Sequence, residues 1–493
     1  MSAPRRIAPA AASRRGWCPG LARPMPTGDG LLARLHPPGG VLSPAQARAV
    51  AAAARRFGNG HVDVTARANL QIRGVRDETR GPLAAALEAA GLGDTRHDGG
   101  PQRLTLTHPL AGLDPAEGFD VVGIAQAVEA RGLAIGGLPP KTLVAIEGLR
   151  WSLGETGADL LVRACGPDHA AIGLAAETGL DWIGRCTAPD IAAAIGAILT
   201  AFARTGRRRV RDLTAEEQGA AAACLPTRDR DLSHRSDARA STEASGPYQA
   251  FRSPPSRLPR AAAPQDEAAG GTSDPASRGA GLSPRVPSTP PLPTWESGIA
   301  PPPDTLRAGL AGLSGTRVAV VVEAPFGRCG ADGLDRLADI ADMIGSPEIR
   351  LAPTRGFVLA ASDPAAAEVA RAALAAHGFL TAPEDPRRAV AACPGAPACA
   401  SGSTPTLTDA ARLAAAFAPF AARGLTAHVS GCPKGCAHPA AADLTLVGAN
   451  GRYGVVLGGT PGAEPAMQLT FEAALERVRR ADSALGLDHA FRT

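Results

Sequence analysis

Lysine is almost missing from this chain of 493 residues: of its 51 basic residues only Lys141 and Lys434 are lysine, and the others are arginine. Such a bias reflects the coding habit of a genome, so a surviving lysine marks a place where a compact, flexible ammonium serves and a planar guanidinium does not. Long apolar runs are missing too. No stretch approaches the roughly 18 residues a spanning helix needs, and the Arg/Ala-rich start, residues 1–16, lacks the apolar core of a secretory signal and reads as a disordered tail. Five of the nine cysteines (Cys18, Cys165, Cys186, Cys224, Cys329) are scattered without a framework, which excludes a secreted disulfide scaffold and fits a reducing cytoplasm. A net charge of +4 is too small on this length to imply nucleic acid. No membrane partner is expected, and no Gly-rich dinucleotide fingerprint with its acidic companion is present.

What the chain does have is Cys393-Pro-Gly-Ala-Pro-Ala-Cys399 and, after a helix-length gap, Cys432-Pro-Lys-Gly-Cys436. Four thiols in Gly/Pro-rich loops can converge on one metal centre. A structural zinc site and unrelated buried thiols are the alternatives. Zinc prefers tight C-x2-C knuckles, whereas these wider loops suit an iron-sulfur cube, whose four corners are reached from several directions. Each pair follows an apolar run, Ala389–Ala392 and Leu425–Val429, so both loops are expected to leave strand ends.

Along the chain, Ser43 and Pro44 predict a helix start and Gly58 its stop. His61–Thr65 alternates like a strand, a helix is expected over Pro82–Ala90, and Arg103–Thr107 reads as a strand. Thr142–Ile146 with Ala158–Val162 look like a hairpin, and a helix over about Pro189–Thr205 closes this half. Residues 226–303 turn to Pro, Ser, Arg, Ala and Gly and read as a disordered linker in which only Tyr248 and Phe251 could dock. The rest repeats the first half. Asp332 is expected to cap a helix, Asp363-Pro364 starts another, and Arg387–Pro394 falls where Gln102–Pro109 fell. Lys434 follows Arg423-Gly-Leu425 much as Lys141 follows Arg131-Gly-Leu133, which suggests equivalent places in two repeats. The expected organisation is a tail (1–16), a first repeat (17–210), the linker (226–303) and a second repeat (305–488) carrying the four thiols.

Loops of two α+β repeats would meet at a cleft rich in cations: Arg34, Arg67, Arg73, Arg103 and Lys141 from the first, Arg355 and Lys434 from the second. Inward cations need an anion to neutralise them, so a polycarboxylated ligand is the natural partner. No two-histidine-one-carboxylate spacing stands out among His36, His108, His428 and His438.

Arg34 before Pro-Pro-Gly-Gly40, Thr65-Ala-Arg67 with Gln71, Arg103 before His108-Pro-Leu-Ala-Gly112, Leu138-Pro-Pro-Lys141 and the two cysteine pairs together resemble the sirohaem-containing nitrite and sulfite reductases. The resemblance spans both halves and implies an α+β fold of two pseudo-symmetric repeats, ferredoxin-like half-domains plus larger α/β domains, around a central cleft. In that family such cations hold the sirohaem carboxylates and a bound oxyanion, and one cluster thiolate, by position Cys436, bridges to the haem iron. Two departures stand out: Leu143 where the reductases carry a second lysine, and Lys434 in the place of an asparagine, with His438 beyond. With the Cys-Pro-Gly opening and Gly28-Asp-Gly-Leu-Leu32, these look like the precorrin-3B synthase branch. That branch implies an oxygen-dependent monooxygenase that makes precorrin-3B, hydroxylated and closed to a γ-lactone, from precorrin-3A in aerobic cobalamin synthesis. Its implied equipment is one [4Fe-4S] cluster on Cys393, Cys399, Cys432 and Cys436, a mononuclear non-haem iron of unassigned ligands, O2, and NADH-derived electrons brought by a separate reductase. By the same resemblance Arg34, Arg67, Gln71, Arg73, Arg103 and Lys141 bind the substrate's arms, and Lys434 is the catalytic candidate. A sulfite or nitrite reductase with permanently bound sirohaem is the alternative, and a non-enzymatic tetrapyrrole- or zinc-binding protein a third reading.

Overall fold

The computed structural model describes residues 18–154, 156–226 and 304–491. The expected tail, and the expected linker apart from its first residue, lie outside them, as do Tyr248 and Phe251. The first half opens with β1 (Met25–Thr27), β2 (Gly30–Leu35), β3 (Val41–Leu42), α1 (Pro44–Phe57), β4 (His61–Val64), β5 (Leu70–Val75) and α2 (Asp77–Ala89). α1 starts as its sequence predicts: the Gln46 N–H donates to Ser43 Oγ at 3.1 Å and the Ser43 N–H donates to Gln46 Oε1 at 3.0 Å, so two donors that a helix start leaves open are satisfied. α2 begins at Asp77 rather than near Pro82, because the Arg76 N–H donates to Thr79 Oγ1 at 3.0 Å and fixes a turn ahead of the proline. Then come β6 (Thr105–Thr107), α3 (Val121–Leu133), β7 (Val144–Glu147), β8 (Trp151–Ser152), β9 (Leu160–Ala164), β10 (His169–Ala175), β11 (Leu180–Thr187), α4 (Ile191–Thr205) and α5 (Ala215–Ala222).

The second half repeats this order with β12 (Asp304–Thr305), β13 (Gly309–Gly312), β14 (Val318–Glu323), β15 (Arg328–Gly330), α6 (Ala331–Met343), β16 (Ile349–Ala352), β17 (Gly356–Ala361) and α7 (Pro364–Ala376). It ends with β18 (Val390–Ala392), α8 (Thr406–Ala421), β19 (Ala427–Ser430), β20 (Ala442–Ala449), β21 (Arg452–Gly459), β22 (Met467–Leu469), α9 (Phe471–Arg480) and α10 (Leu487–Phe491). α6 is capped by Gly330; Asp332 sits inside its first turn, where it meets Arg55 of α1 at 2.5 Å.

Two small sheets are formed by exchange. One runs β1-β2-β5-β4-β15 and the other β13-β14-β17-β16-β3, so each takes its fifth strand from the opposite half. β15 lies antiparallel to β4 with Cys329 opposite Val62, and β3 lies antiparallel to β16 with Leu42 opposite Ile349. α1 and α6 pack on one shared core in which Val50, Ala54, Leu334 and Leu337 are buried. The alanines that make α1 a strong helix former also let the second helix approach closely.

The two larger sheets run β11-β10-β9-β7-β6 and β18-β19-β20-β21-β22, each with three parallel strands followed by antiparallel ones. β7 and β9 are therefore parallel, with Val144 opposite Leu160 and Ile146 opposite Val162, and not the expected hairpin. The chain between them makes β8, which pairs with β12 of the second half and sends the strand back in the same direction. By sheet position β7 corresponds to β19, so Lys141 precedes its strand and Lys434 follows the matching one; the two lysines are not equivalent. Among the described residues no helix is long and apolar enough to cross a membrane.

Candidate active site

β18 and β19 are parallel neighbours, with Ala392 opposite Val429. The loops beginning at Cys393 and Cys432 therefore leave the same end of one sheet, where parallel sheets place ligands. Cys393 is buried and its Sγ accepts the Gly431 N–H at 3.1 Å. Thr406 Oγ1 lies 4.0 Å from that sulfur and donates to the Cys393 carbonyl. Gly395 turns the first loop at φ +58°, with Thr406 Oγ1 only 2.3 Å from where a Cβ would sit. All four thiols face one central cavity of about 540 Å3. Burial pushes the Cys432 thiol up, and it pushes Cys436 up together with the nearby Cys432, Cys393 and Cys399. Such thiols would give up their protons on binding a cationic metal centre as ligands.

The same cavity is also lined by cations. Arg34 on β2 faces Gln71 on β5 across the strand pair. Its Nε and NH2 donate to Gln71 Oε1 at 3.0 and 2.6 Å in the amide orientation that satisfies both groups, and it also bonds Cys18. Arg67 is presented by a turn in which Thr65 Oγ1 accepts the Asn69 N–H at 3.1 Å, and its NH1 donates to the Lys141 carbonyl at 3.0 Å. Lys141 is exposed on the rim. From the second half Arg355, held at φ +63°, donates to the Ala437 carbonyl at 2.6 Å. Burial lowers the pKa of Arg34, Arg67 and Arg355.

Of the expected site residues, Arg73 lines this cavity but is already paired, and Arg103 and Lys434 lie elsewhere. Arg73 is spent on structure: its side chain is 3% exposed, Nε and NH2 bind Asp29 at 3.1 Å, NH1 binds Asp63 at 3.2 Å, and NH2 donates to the Ala398 carbonyl at 2.5 Å. Arg103 lines an adjoining chamber and donates to the carbonyls of Ala68, Pro37 and Arg67, propping the Arg67 turn. Lys434 is exposed on the outer side of its loop, 3.4 Å from Ser401 Oγ, and does not line the cavity. Cys18, Arg209 and Arg328 do line it. No sequence signal marked Arg209, and Cys18 counted among the scattered thiols, although the Cys-Pro-Gly opening it begins was a signal.

The Gly28-Asp-Gly30 motif gains a physical role here. The Gly28 N–H donates to the Ala398 carbonyl at 3.1 Å, and a Cβ on Gly28 would lie 2.2 Å from the Pro397 carbonyl oxygen. Gly28→Ala must therefore push the first cysteine loop away. We expect the variant to fold yet lose its blue absorbance several-fold faster in air than the parent, a comparison that a simple bleaching time course makes.

Cysteine placement also sorts the metals. Among the described residues no three His, Cys, Asp or Glu side chains gather closely enough to hold a single ion. Thiols that share one cavity without closing on one point fit the corners of a cluster and not a zinc knot. The mononuclear iron of the resemblance finds no such ligand set among the described residues. His108 is buried and stacks on Trp151 at 5.5 Å; His428 is buried at 5.8 Å from His438, and its pKa is lowered to about 4 by burial, then by His438 and Arg355.

The nitrite/sulfite reductase ferredoxin-like half domain matches residues 23–90 and 313–377, one copy in each exchanged sheet region. A ferredoxin–nitrite reductase of Synechococcus elongatus is 35% identical over 145 residues, 28% of each chain. The solved structure of the Mycobacterium tuberculosis NirA protein matches with a TM-score of 0.62 at 19% identity, covering 91% of this chain and 80% of that one, which shows the fold. A precorrin-3B synthase of Sinorhizobium sp is 31% identical over 460 residues, 92% of this chain and 85% of the relative. With that likeness spanning 92% of its length, the chain belongs to the precorrin-3B synthase family.

Proposed function

We propose that this enzyme converts precorrin-3A to precorrin-3B by oxygen-dependent hydroxylation and γ-lactone closure, an oxidoreductase step of aerobic cobalamin synthesis in a reducing cytoplasm. The observation that carries the reading is a single cavity lined by four thiols and by Arg34, Arg67 and Arg355, whose hydrogen bonds go to an amide and to carbonyls rather than to carboxylates, while Arg73, Arg209 and Arg328 of the same lining are paired with aspartates. Such a lining asks for an anionic ligand, and a macrocycle with acetate and propionate arms supplies the charge. A [4Fe-4S] cluster on Cys393, Cys399, Cys432 and Cys436 would supply single electrons. Arg34 is fixed by Gln71 and Arg67 by its turn, so both meet the arms without reordering. A guanidinium keeps the arm it holds ionised, which is the nucleophilic form that lactone closure requires. Leu143, 2% exposed, stands where the reductases place a second cation, in keeping with a tetrapyrrole that leaves as product. With no dinucleotide loop in the sequence, NADH electrons come through a separate reductase.

The test is a spectrum of protein purified without air from a host that makes sirohaem, followed by turnover of precorrin-3A with labelled dioxygen. We expect a broad cluster shoulder, no extractable sirohaem and one labelled oxygen in the product; a Soret band with sirohaem in the acid-acetone extract would assign a reductase instead. Arg67→Gln removes one charge-assisted contact and should weaken precorrin-3A binding by about 10-fold or more at unchanged cluster absorbance.

A further inference from the structure

Asp409 is buried in the first turn of α8, 5% exposed. A carboxylate there would stabilise the helix from the surface just as well, and burying one is costly unless it is paired. Its partner is a neutral phenol: Tyr453 Oη donates to Asp409 Oδ2 at 2.6 Å. Arg412 of the same helix gives its terminal nitrogens to Glu472 at 2.7 and 2.8 Å, and the two act on Asp409 in opposite senses. Tyr453 is 1% exposed, and its ring meets that of Phe471 at 5.9 Å between centres. In a chain with 11 phenylalanines and 2 tyrosines, a ring that only filled the core would be expected to lack the hydroxyl.

The pair lies beneath the thiol loops. Tyr453 stands opposite Gly448 across β21 and β20, and a Cβ on Gly448 would lie 2.4 Å from Thr404 Oγ1 and 3.0 Å from the Gly431 carbonyl oxygen. Gly431 is the residue whose N–H donates to Cys393 Sγ, and the Thr404 carbonyl accepts the N–H groups of Ala396 and Thr406 at 2.8 and 3.0 Å. Cys393 is close enough to act on the Tyr453 phenol, which burial first, and then the bond to Asp409, keep protonated well above the ordinary range. Burial raises the Asp409 pKa, and the hydrogen bond from Tyr453 opposes that rise.

We propose that Asp409, kept ionised by Tyr453, is a fixed negative charge that holds the cluster on Cys393, Cys399, Cys432 and Cys436 at a low reduction potential. The inference rests on the cluster reading above and adds what tunes it. One electron taken from the donor protein adds one negative charge at the four thiolates, with no proton exchanged, and a carboxylate nearby in a dry setting opposes that addition. The electron then leaves with more driving force. Neither residue touches the substrate, so both are positioning residues.

The experiment is an anaerobic redox titration of the full, cluster-loaded chain without substrate, followed by the visible spectrum and by electron paramagnetic resonance. Asp409→Asn should raise the midpoint, so that at a fixed applied potential the reduced-to-oxidised ratio rises about 10-fold. Tyr453→Phe frees the carboxylate to take up a proton and should move the ratio the same way by a smaller factor. Asp409→Glu keeps the charge and should stay close to the parent. A merely structural pair would lower iron content or the thermal midpoint in these variants and leave the potential of the clusters that do load unchanged; that result overturns the proposal. A shift in Asp409→Glu as large as in Asp409→Asn overturns it too, because charge would not be the cause. A parent protein that binds no iron-sulfur cluster overturns the cluster reading itself, and its own spectrum reports this before any variant is made.

Discussion

On the proposed cluster, Cys393→Ser is expected to abolish both the blue absorbance and all turnover, whereas Thr406→Val should keep a weakened cluster. This contrast is the largest effect we expect. The metal ligand is a thiolate, and a serine hydroxyl does not ionise in the same range. Cys393 also cannot be replaced by a neighbour, because its sulfur is fixed between the Gly431 N–H and Thr406 at the end of β18. Thr406 only orients that ligand through the Cys393 carbonyl, and outer contacts of this kind typically change metal affinity about 10–100-fold. Iron content, sulfide content and the visible spectrum of the two variants, purified without air, check the ranking. A Cys393→Ser protein that retained a full cluster would remove this thiol from the ligand set.

The second large effect is on stability. Asp63 accepts from Arg328 Nε at 2.6 Å and NH2 at 3.1 Å, and from Arg73 NH1 at 3.2 Å. One carboxylate of β4 thus holds an arginine of β15 across the exchanged sheet edge and another that grips the cysteine loop at Ala398. Asp63→Ala strands the Arg328 guanidinium, 17% exposed, and takes one of two carboxylates from Arg73, 3% exposed. Removing one partner of a buried pair costs about 3–5 kcal/mol, which for a body of this size lowers the thermal midpoint by roughly 4–6 °C. Asp63→Asn keeps an acceptor oxygen and should lose less. Thermal melts of the apo and cluster-loaded forms read both effects. A midpoint within a degree of the parent in Asp63→Ala would show that Asp29 alone satisfies Arg73.

The parts of this molecule that were legible in its sequence are those fixed by local chemistry. The Ser43/Gln46 start of α1, the Asp363 start of α7 and the four spaced cysteines need no distant partner to be recognised. The exchange of β3 and β15 was hidden because strands of two and three residues are too short to show a period, and their pairing is decided by the opposite half. β7 and β9 looked like a hairpin because direction leaves no mark on two short apolar runs. Charge was the least legible property. Arg73 and Arg67 are the same residue type six positions apart and both line the cavity, yet one is neutralised by Asp29 and Asp63 and the other bonds only a carbonyl, that of Lys141. Lys434 sits within the cysteine motif and still points outward.

The swapped strands also set a timetable for biogenesis. The β4 edge of the first small sheet emerges from the ribosome early, and its closing strand β15 follows 265 residues later, as the Asp63–Arg328 separation records. At about 5–20 residues per second, that edge waits unpaired for roughly 15–50 s. During that interval the nascent chain presents an open strand edge, the feature through which β proteins aggregate, so the yield of this enzyme in a cell should depend on chaperone supply and on translation speed between the two halves.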